Sequence, residues 1–251
     1  MATADVKNDS DMSKAPSYDP GLDARHVAVD AYMSSHLVER EHDEDYTKLE
    51  KIRQYSLEAG LPDMAVSRLQ AKMLMLFVRM SRSRHVLEIG TLGGYSAAWL
   101  ASAGKDVKVT SIELNPDYAA LAKANIATAD LSQRIRVITG AALDVLPTLL
   151  EEVRDGSRPK FDFVFIDANK QDNLAYFKLA LELTTPSATI VVDNVVRDGK
   201  VASFDEAEKD DRVKGVRQLV EYIGSSQAVD ASVLQTVGEK GYDGFLLAVK
   251  K

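Results

Sequence analysis

Two apolar runs in this chain end on oxygen-bearing side chains. The run 161–166 closes on Asp167, and the run 188–192 closes on Asp193 and Asn194. If these runs are neighbouring parallel strands, two carboxylates and an amide oxygen meet at one sheet edge, where open α/β folds bind their ligands. Such hard donors suit Mg2+, Mn2+ or Ca2+ rather than a soft metal. Three protein ligands on an octahedral ion leave three positions, of which a vicinal diol can fill two and water one. Lys170 follows Asp167 closely enough to face the same substrate. Beside a cation and partly desolvated, its amine gives up a proton more readily and can act as a base. The plainer reading of Lys170 is a lysine on a helix surface.

A second group of residues lies upstream. The run 86–89 passes into Gly90-Thr91-Leu92-Gly93-Gly94 and then Tyr95-Ser96, a strand, a glycine-rich turn and a helix start. The turn lacks the G-x-G-x-x-G spacing of dinucleotide folds. Its helix start still offers free N–H groups and a positive dipole end, suited to a carboxylate or a phosphate, and Ser96 adds a hydroxyl. Glu113 ends the next strand nineteen residues beyond Gly94, the distance at which an acid accepts from ribose hydroxyls. Glu88, just before the turn, repels a pyrophosphate but attracts a sulfonium or amino group. This combination favours S-adenosylmethionine over NAD; the plain alternative is glycines and acids that merely terminate strands. In Gly140-Ala141-Ala142-Leu143-Asp144, small residues could let an adenine lie on the backbone, with the Ala142 N–H as donor. Equally, that stretch is strand-to-helix packing with Asp144 as the helix cap.

The elements that must position these groups alternate. Strands are expected at 84–90, 107–113, 134–139, 161–167 and 188–194, with helices at 94–103, 116–129, 144–154 and 170–183. That alternation predicts a parallel sheet covered by helices on both faces. Ahead of it, helical spacing runs over 22–42, 45–59 and 65–80, broken by Gly60-Leu61-Pro62. A helix over 210–224 leads to apolar runs at 231–237 and 244–250, read as a closing antiparallel hairpin with Gly241-Tyr242-Asp243-Gly244 between them. The charged cluster 39–45 around His42 reads as a solvated helix end. The methionines of 65–80 read as core packing.

Composition bounds the rest. The chain has 251 residues, 45% of them hydrophobic, no cysteine and a formal charge of −7. It can bury a large core as one domain. Disulfides, zinc thiolates and a thiol nucleophile are excluded. The charge argues against a nucleic-acid surface. No run is long enough to span a membrane, and the start lacks a signal peptide's pattern. Residues 1–20 are expected to be a disordered polar tail, 21–251 a single domain, and the location cytoplasmic.

Met64-Ala65-Val66-Ser67, Leu87 through Ser96, Phe165 through Lys170 and Val192-Asp193-Asn194 together resemble the cation-dependent O-methyltransferases, a family that includes catechol and caffeoyl-CoA O-methyltransferases. The resemblance runs from about residue 25 to the C-terminus. It implies a Rossmann-like class I methyltransferase fold, a seven-stranded, mostly parallel sheet whose last strand is antiparallel, with S-adenosylmethionine as methyl donor. It also implies Asp167, Asp193 and Asn194 as ligands of Mg2+ (or Mn2+ or Ca2+) and Lys170 as general base. Glu113 takes the ribose role; Glu88, Gly90, Thr91 and Ser96 surround the methionine moiety. Ala142 contacts adenine, Val66 lines the cofactor through its backbone, and Asp167 touches the donor as well.

The resemblance further implies a homodimer. Two departures bear on the acceptor. Arg197 stands where the plant caffeoyl-CoA branch often has an aromatic residue, and Ala142-Leu143 lacks the polar pair of the animal catechol branch. The segment 197–212 is expected to border the acceptor site, with Arg197 and Lys200 available to an acidic substituent or simply part of the surface. A small catechol or flavonoid diol fits better than a CoA thioester. Two rival readings stand beside this one: an NAD-dependent oxidoreductase on a doubly wound sheet, and a non-catalytic cofactor-binding protein.

Overall fold

Strands without a polar face must be covered on both sides, and the central runs of this chain are of that kind. The computed structural model describes residues 20–39 and 44–251. All but the last residue of the expected tail lies outside them, as do His42 and its nearest neighbours in the charged cluster.

Five parallel strands form the centre: β1 (His85–Ile89), β2 (Lys108–Glu113), β3 (Ile135–Thr139), β4 (Phe161–Ile166) and β5 (Thr184–Asp193). Two more, β6 (Val229–Gly238) and β7 (Gly241–Lys250), complete a seven-stranded sheet of order β3-β2-β1-β4-β5-β7-β6. β7 runs antiparallel to both β5 and β6. The fold is therefore the class I methyltransferase arrangement that the motifs implied.

Helices cover both faces. On one lie α2 (Glu44–Glu58), α3 (Arg68–Met80), α4 (Tyr95–Ala101) and α5 (Pro116–Thr128), packed on Val86, Phe163, Phe165 and Val191. On the other, α6 (Ala142–Arg154), α7 (Asn173–Leu183) and α9 (Asp211–Ser225) pack on Leu87, Ile89, Val164, Ile166 and Val192. Consecutive residues of β1 and β4 thus go to opposite cores, as the two-residue period of a strand requires. α1 (Pro20–Leu37) touches β6, and the short α8 (Phe204–Lys209) precedes α9. Among the described residues, no helix is long and apolar enough to cross a membrane.

Several expected boundaries move. The third helix starts at Arg68 rather than 65 because Ser67 caps it, exchanging bonds with Gln70 in a capping box. Asp144 is not the cap of α6; Ala141 holds that position, without a side-chain bond. A single 3-10 turn, Lys170–Asp172, stands where a helix was expected to begin, and α7 follows it. The hairpin turn lies at 239–240, so Gly241 through Gly244 belong to β7.

The chain builds β1, β2 and β3 outward in one direction, then returns to place β4 on the other side of β1. Loops leaving β1 and β4 diverge at that switch point and open a crevice. Register aligns the strand ends: Ile89 pairs with Ile112 and Ile166, and Ile166 with Val192. One step further along lie Gly90, Glu113, Asp167 and Asp193, a single row across the sheet edge.

Candidate active site

Above that row lies a cavity of about 670 Å³, ample for a nucleoside-sized ligand and a small ring. Val66, Gly90, Thr91, Ser96, Glu113 and Ala142 line it on one side, and Asp167, Lys170 and Asn194 on the other. Glu88 and Asp193 do not line it. Both are buried directly behind its wall.

The glycine turn is shaped by the protein itself. Gly90, at φ 103°, passes so close to β4 that a Cβ there would lie 2.1 Å from the Asp167 carbonyl oxygen. A Cβ on Gly93 would meet Ser56 Oγ of α2 at 2.0 Å. The turn therefore needs glycine to pack against its neighbours, whatever it binds. Asn125 of α5, buried, donates from Nδ2 to the Gly93 carbonyl (3.0 Å) and to Ser56 Oγ (3.1 Å). No sequence pattern marked Asn125 or Ser56, because their partners are 32 and 69 residues away.

Glu113 holds the same turn. Its Oε2 accepts from the backbone N–H of Thr91 (3.1 Å) and Leu92 (2.8 Å), and Oε1 from that of Asn115 (2.9 Å). A carboxylate has about four acceptor positions, so little more than one remains for a ligand. The acid expected to face a ribose is first a clamp on the turn.

Behind the turn runs a buried polar chain in which the hydroxyls of Thr91 and Ser111 are bonded and Ser111 donates to Glu88 Oε2. Among the described residues Glu88 Oε1 has no hydrogen-bond partner, although the Ser96 hydroxyl is near enough to favour the ionised carboxyl. Burial pushes the Glu88 carboxyl up to about 8, with the Ser111 hydroxyl pulling the other way. A fully buried acid with an unpaired oxygen is expensive unless a donor or cation reaches it.

At the other half, Lys170 Nζ lies 2.7 Å from Asp167 Oδ1, and the lysine is only 7% exposed. Asp193 Oδ1 accepts from the Asn194 N–H at 2.7 Å. Burial raises the Asp193 carboxyl well above the ordinary range, the Asp167 charge adds to it, and Lys170 opposes both. Asn194 lies one residue beyond β5 in the left-handed region, φ 58°. The Lys170 turn is seated on α9, where a Cβ at Gly215 would fall 2.2 Å from the Lys170 carbonyl oxygen. Gly215 went unnoticed in the sequence, although a glycine inside a helical run was a readable sign of close approach.

The segment after Asn194 is fixed by Asp243. Its Oδ1 accepts from the N–H groups of Val196, Arg197 and Gly244, each at 3.0 Å. The turn motif expected around Gly241 is thus a brace for the cavity rim. Arg197 and Arg212 line the cavity, and Lys200, also expected there, does not. Among the described residues, no group of three or more His, Cys, Asp and Glu side chains forms a metal cage. The cluster at hand is two carboxylates and an amide.

The sequence model of a protein family described as O-methyltransferase matches residues 39–251. The O-methyltransferase imqG of Aspergillus flavus is 43% identical over 235 residues, 94% of this chain and 95% of that one. A catechol O-methyltransferase of Niastella koreensis is 44% identical over 195 residues, 77% of this chain and 86% of its own length. The crystal structure of the O-methyltransferase from Bacillus cereus in complex with SAH superposes at a TM-score of 0.82 with 43% identity, covering 91% of this chain and 99% of that one.

Proposed function

This chain belongs to the O-methyltransferase family, and we propose that it transfers a methyl group from S-adenosylmethionine to one hydroxyl of an aromatic vicinal diol, with Mg2+ (or Mn2+ or Ca2+) held by Asp167, Asp193 and Asn194. The family match sets aside the oxidoreductase and non-catalytic alternatives. The acceptor class draws support from the catechol O-methyltransferase among the relatives, and the donor from the SAH held by the Bacillus cereus protein. The acting unit is residues 21–251 as one domain, working as a homodimer. An edge strand β6 with exposed Val233, Leu234 and Val237 supports a second copy as partner.

The residues present fit both groups. The unpaired Oε1 of Glu88, just behind the cavity wall at the glycine turn, favours positive charge at that end of the cavity, as the amino end of the donor would bring. Ala142, first residue of an α6 that lacks a side-chain cap, offers the free N–H of a helix start to an adenine. For the cation, two crowded carboxyls, one raised by burial and by the other's charge, are relieved by a hard positive ion, and an amide oxygen completes a hard donor set.

When bound, the dication supplies Lewis acidity toward the acceptor oxygens and the donor supplies an electrophilic methyl. The protein's residues do the rest. Lys170, as the free amine, takes the proton of the reacting hydroxyl at Nζ, and the resulting ammonium is held by its ion pair with Asp167. Glu113 and Asn125 keep the Gly90–Gly94 turn in shape, so the donor end of the cavity is preformed. Val66 and Ala142 confine the donor, and the buried setting of Lys170 keeps bulk water from competing for the proton. Positioning of this kind can lower a barrier by roughly 7–11 kcal/mol.

The observation that carries the proposal is the Lys170–Asp167 pair beside buried Asp193, in the same cavity as the clamped glycine turn. The test is a panel of aromatic diols incubated with S-adenosylmethionine, with and without Mg2+, products identified by mass spectrometry. Singly methylated diols formed only with the cation are expected. Turnover unchanged after thorough chelation would remove the metal, and no product from any diol would remove the acceptor class.

A further inference from the structure

Among the described residues, the cavity rim carries one guanidinium that forms no ion pair. Three arginines among the described residues reach the cavity: Arg53, Arg197 and Arg212. Two are already paired. Arg212 donates from Nε and Nη2 to the two carboxylate oxygens of Asp210, at 2.9 and 2.7 Å. Arg53 lies 3.7 Å from Glu50 and 3.5 Å from Asp63. Among the described residues the Nε of both Arg53 and Arg197 is buried without a partner. Arg197 alone of the three has no carboxylate within ion-pair distance of its guanidinium, its charge reaching Asp210 only at longer range, where it helps hold that carboxyl down.

Its placement is held against a backbone preference. Arg197 and the next residue, Asp198, take φ of 55° and 60°, a region that side chains other than glycine, asparagine and aspartate seldom enter. Such conformations persist where the surroundings over-determine them. Here Asp243 Oδ1 binds the Val196 and Arg197 N–H groups, and the Asp198 N–H donates to the Tyr242 carbonyl at 3.1 Å. The rim is thus braced by β7 and presents Arg197 from the same short segment that carries Asn194.

An unpaired guanidinium, its inner nitrogen dry and lacking an acceptor, is a site for a planar anion, and a carboxylate matches its fork best. We propose that Arg197 binds a carboxylate carried on the ring of the acceptor, so that this chain's preferred substrates are aromatic diol acids. The inference rests on the diol-methylation reading above and narrows it. In a chain of net charge −7, an acidic substrate needs such a local cation. Neutral catechols need no partner at that position.

The test compares 3,4-dihydroxybenzoate with 3,4-dihydroxybenzamide, nearly the same in shape and different in charge, with catechol as reference. The wild-type chain is expected to favour the acid by about ten- to one-hundredfold in kcat/KM, the range a charge-assisted hydrogen bond provides, mostly through KM. In Arg197→Met the ratio falls to near one, and Arg197→Lys, which keeps the charge but not the fork, retains part of it. Arg197→Asn, whose residue type tolerates the left-handed backbone, guards against a folding artefact in Arg197→Met. Calorimetric binding of both compounds to the protein loaded with S-adenosylhomocysteine reads the same preference without turnover. A wild-type ratio near one, or a preference that survives in Arg197→Met and Arg197→Asn, overturns the proposal while leaving diol methylation standing, provided catechol is methylated. If all three compounds go unmethylated, the diol reading fails and this inference falls with it.

Discussion

Lys170 and Asp167 form an ion pair of 2.7 Å at the carboxyl end of β4, and Asp193 is buried behind it at the end of the neighbouring strand. The lysine thus lies at the same carboxylate proposed to hold a cation. Removing it tests its part in proton transfer. Lys170→Ala is expected to lower kcat by about 10²- to 10⁴-fold, the usual contribution of a positioned base, with KM for the diol changed much less. Steady-state kinetics with saturating donor separate the two; full activity would leave Lys170 as a buried structural partner of Asp167.

Asp193 offers the cleaner test of the cation, because it does not line the cavity. Asp193→Asn keeps the volume and removes one charge. Mg2+-dependent turnover is expected to drop at least about 100-fold, while calorimetric affinity for S-adenosylhomocysteine stays within a few-fold. An equal loss in both would point to a collapsed cavity instead.

Glu88 predicts a pH effect on stability. Its carboxyl is raised by burial from an ordinary 4.5 to about 8, so the folded chain holds a proton that the unfolded chain releases. A raised value contributes stability that is fully present below about 4.5 and is lost as pH rises through about 8. Glu88→Gln removes this dependence. Between pH 5 and pH 8.5 the wild type should therefore lose more Tm than the variant, by on the order of 5 °C. Parallel melting curves across that range would refute the assignment. A cationic donor beside Glu88 should also draw the proton off, so calorimetry of S-adenosylmethionine near pH 7.5 should show proton release in buffers of different ionisation enthalpy, and Glu88→Gln should not.

Gly215 is expected to be intolerant of the smallest change. An added methyl would lie 2.2 Å from the Lys170 carbonyl oxygen, which forces α9 away from the lysine turn. Gly215→Ala should cost about 1–3 kcal/mol of stability, as overpacking does, despite the gain in helix propensity. It should also depress kcat more than donor binding. Urea unfolding and calorimetry on the same preparation check both parts.

Much of the site was readable because strand ends announce themselves. An apolar run that stops on Asp167, another that stops on Asp193, and a third that stops at Gly90 are local facts, and parallel pairing makes them neighbours without further information. The departures have non-local causes. Helix α3 begins late because Ser67 and Gln70 cap one another, and the Gly241–Gly244 stretch is strand because the hairpin closes two residues earlier. Glu113, read from the sequence as a ribose acid, lines the cavity and also clamps the backbone of Thr91, Leu92 and Asn115, a second duty that no local pattern showed.

Residue types and their spacing determined the alternating strands and helices, the buried sheet and the oxygen donors at its edge, since periodicity and strand termination are properties of neighbouring residues. Tertiary structure alone decided which groups are free and which are engaged. Asn125 reaching Gly93, Gly215 making room for the Lys170 turn, and Asp243 bracing Arg197 join residues distant in the chain. Hydrogen bonding and close packing act between atoms that only folding brings together, so partnership, burial and the shifted acidity of Glu88 and Asp193 had no local signature to read.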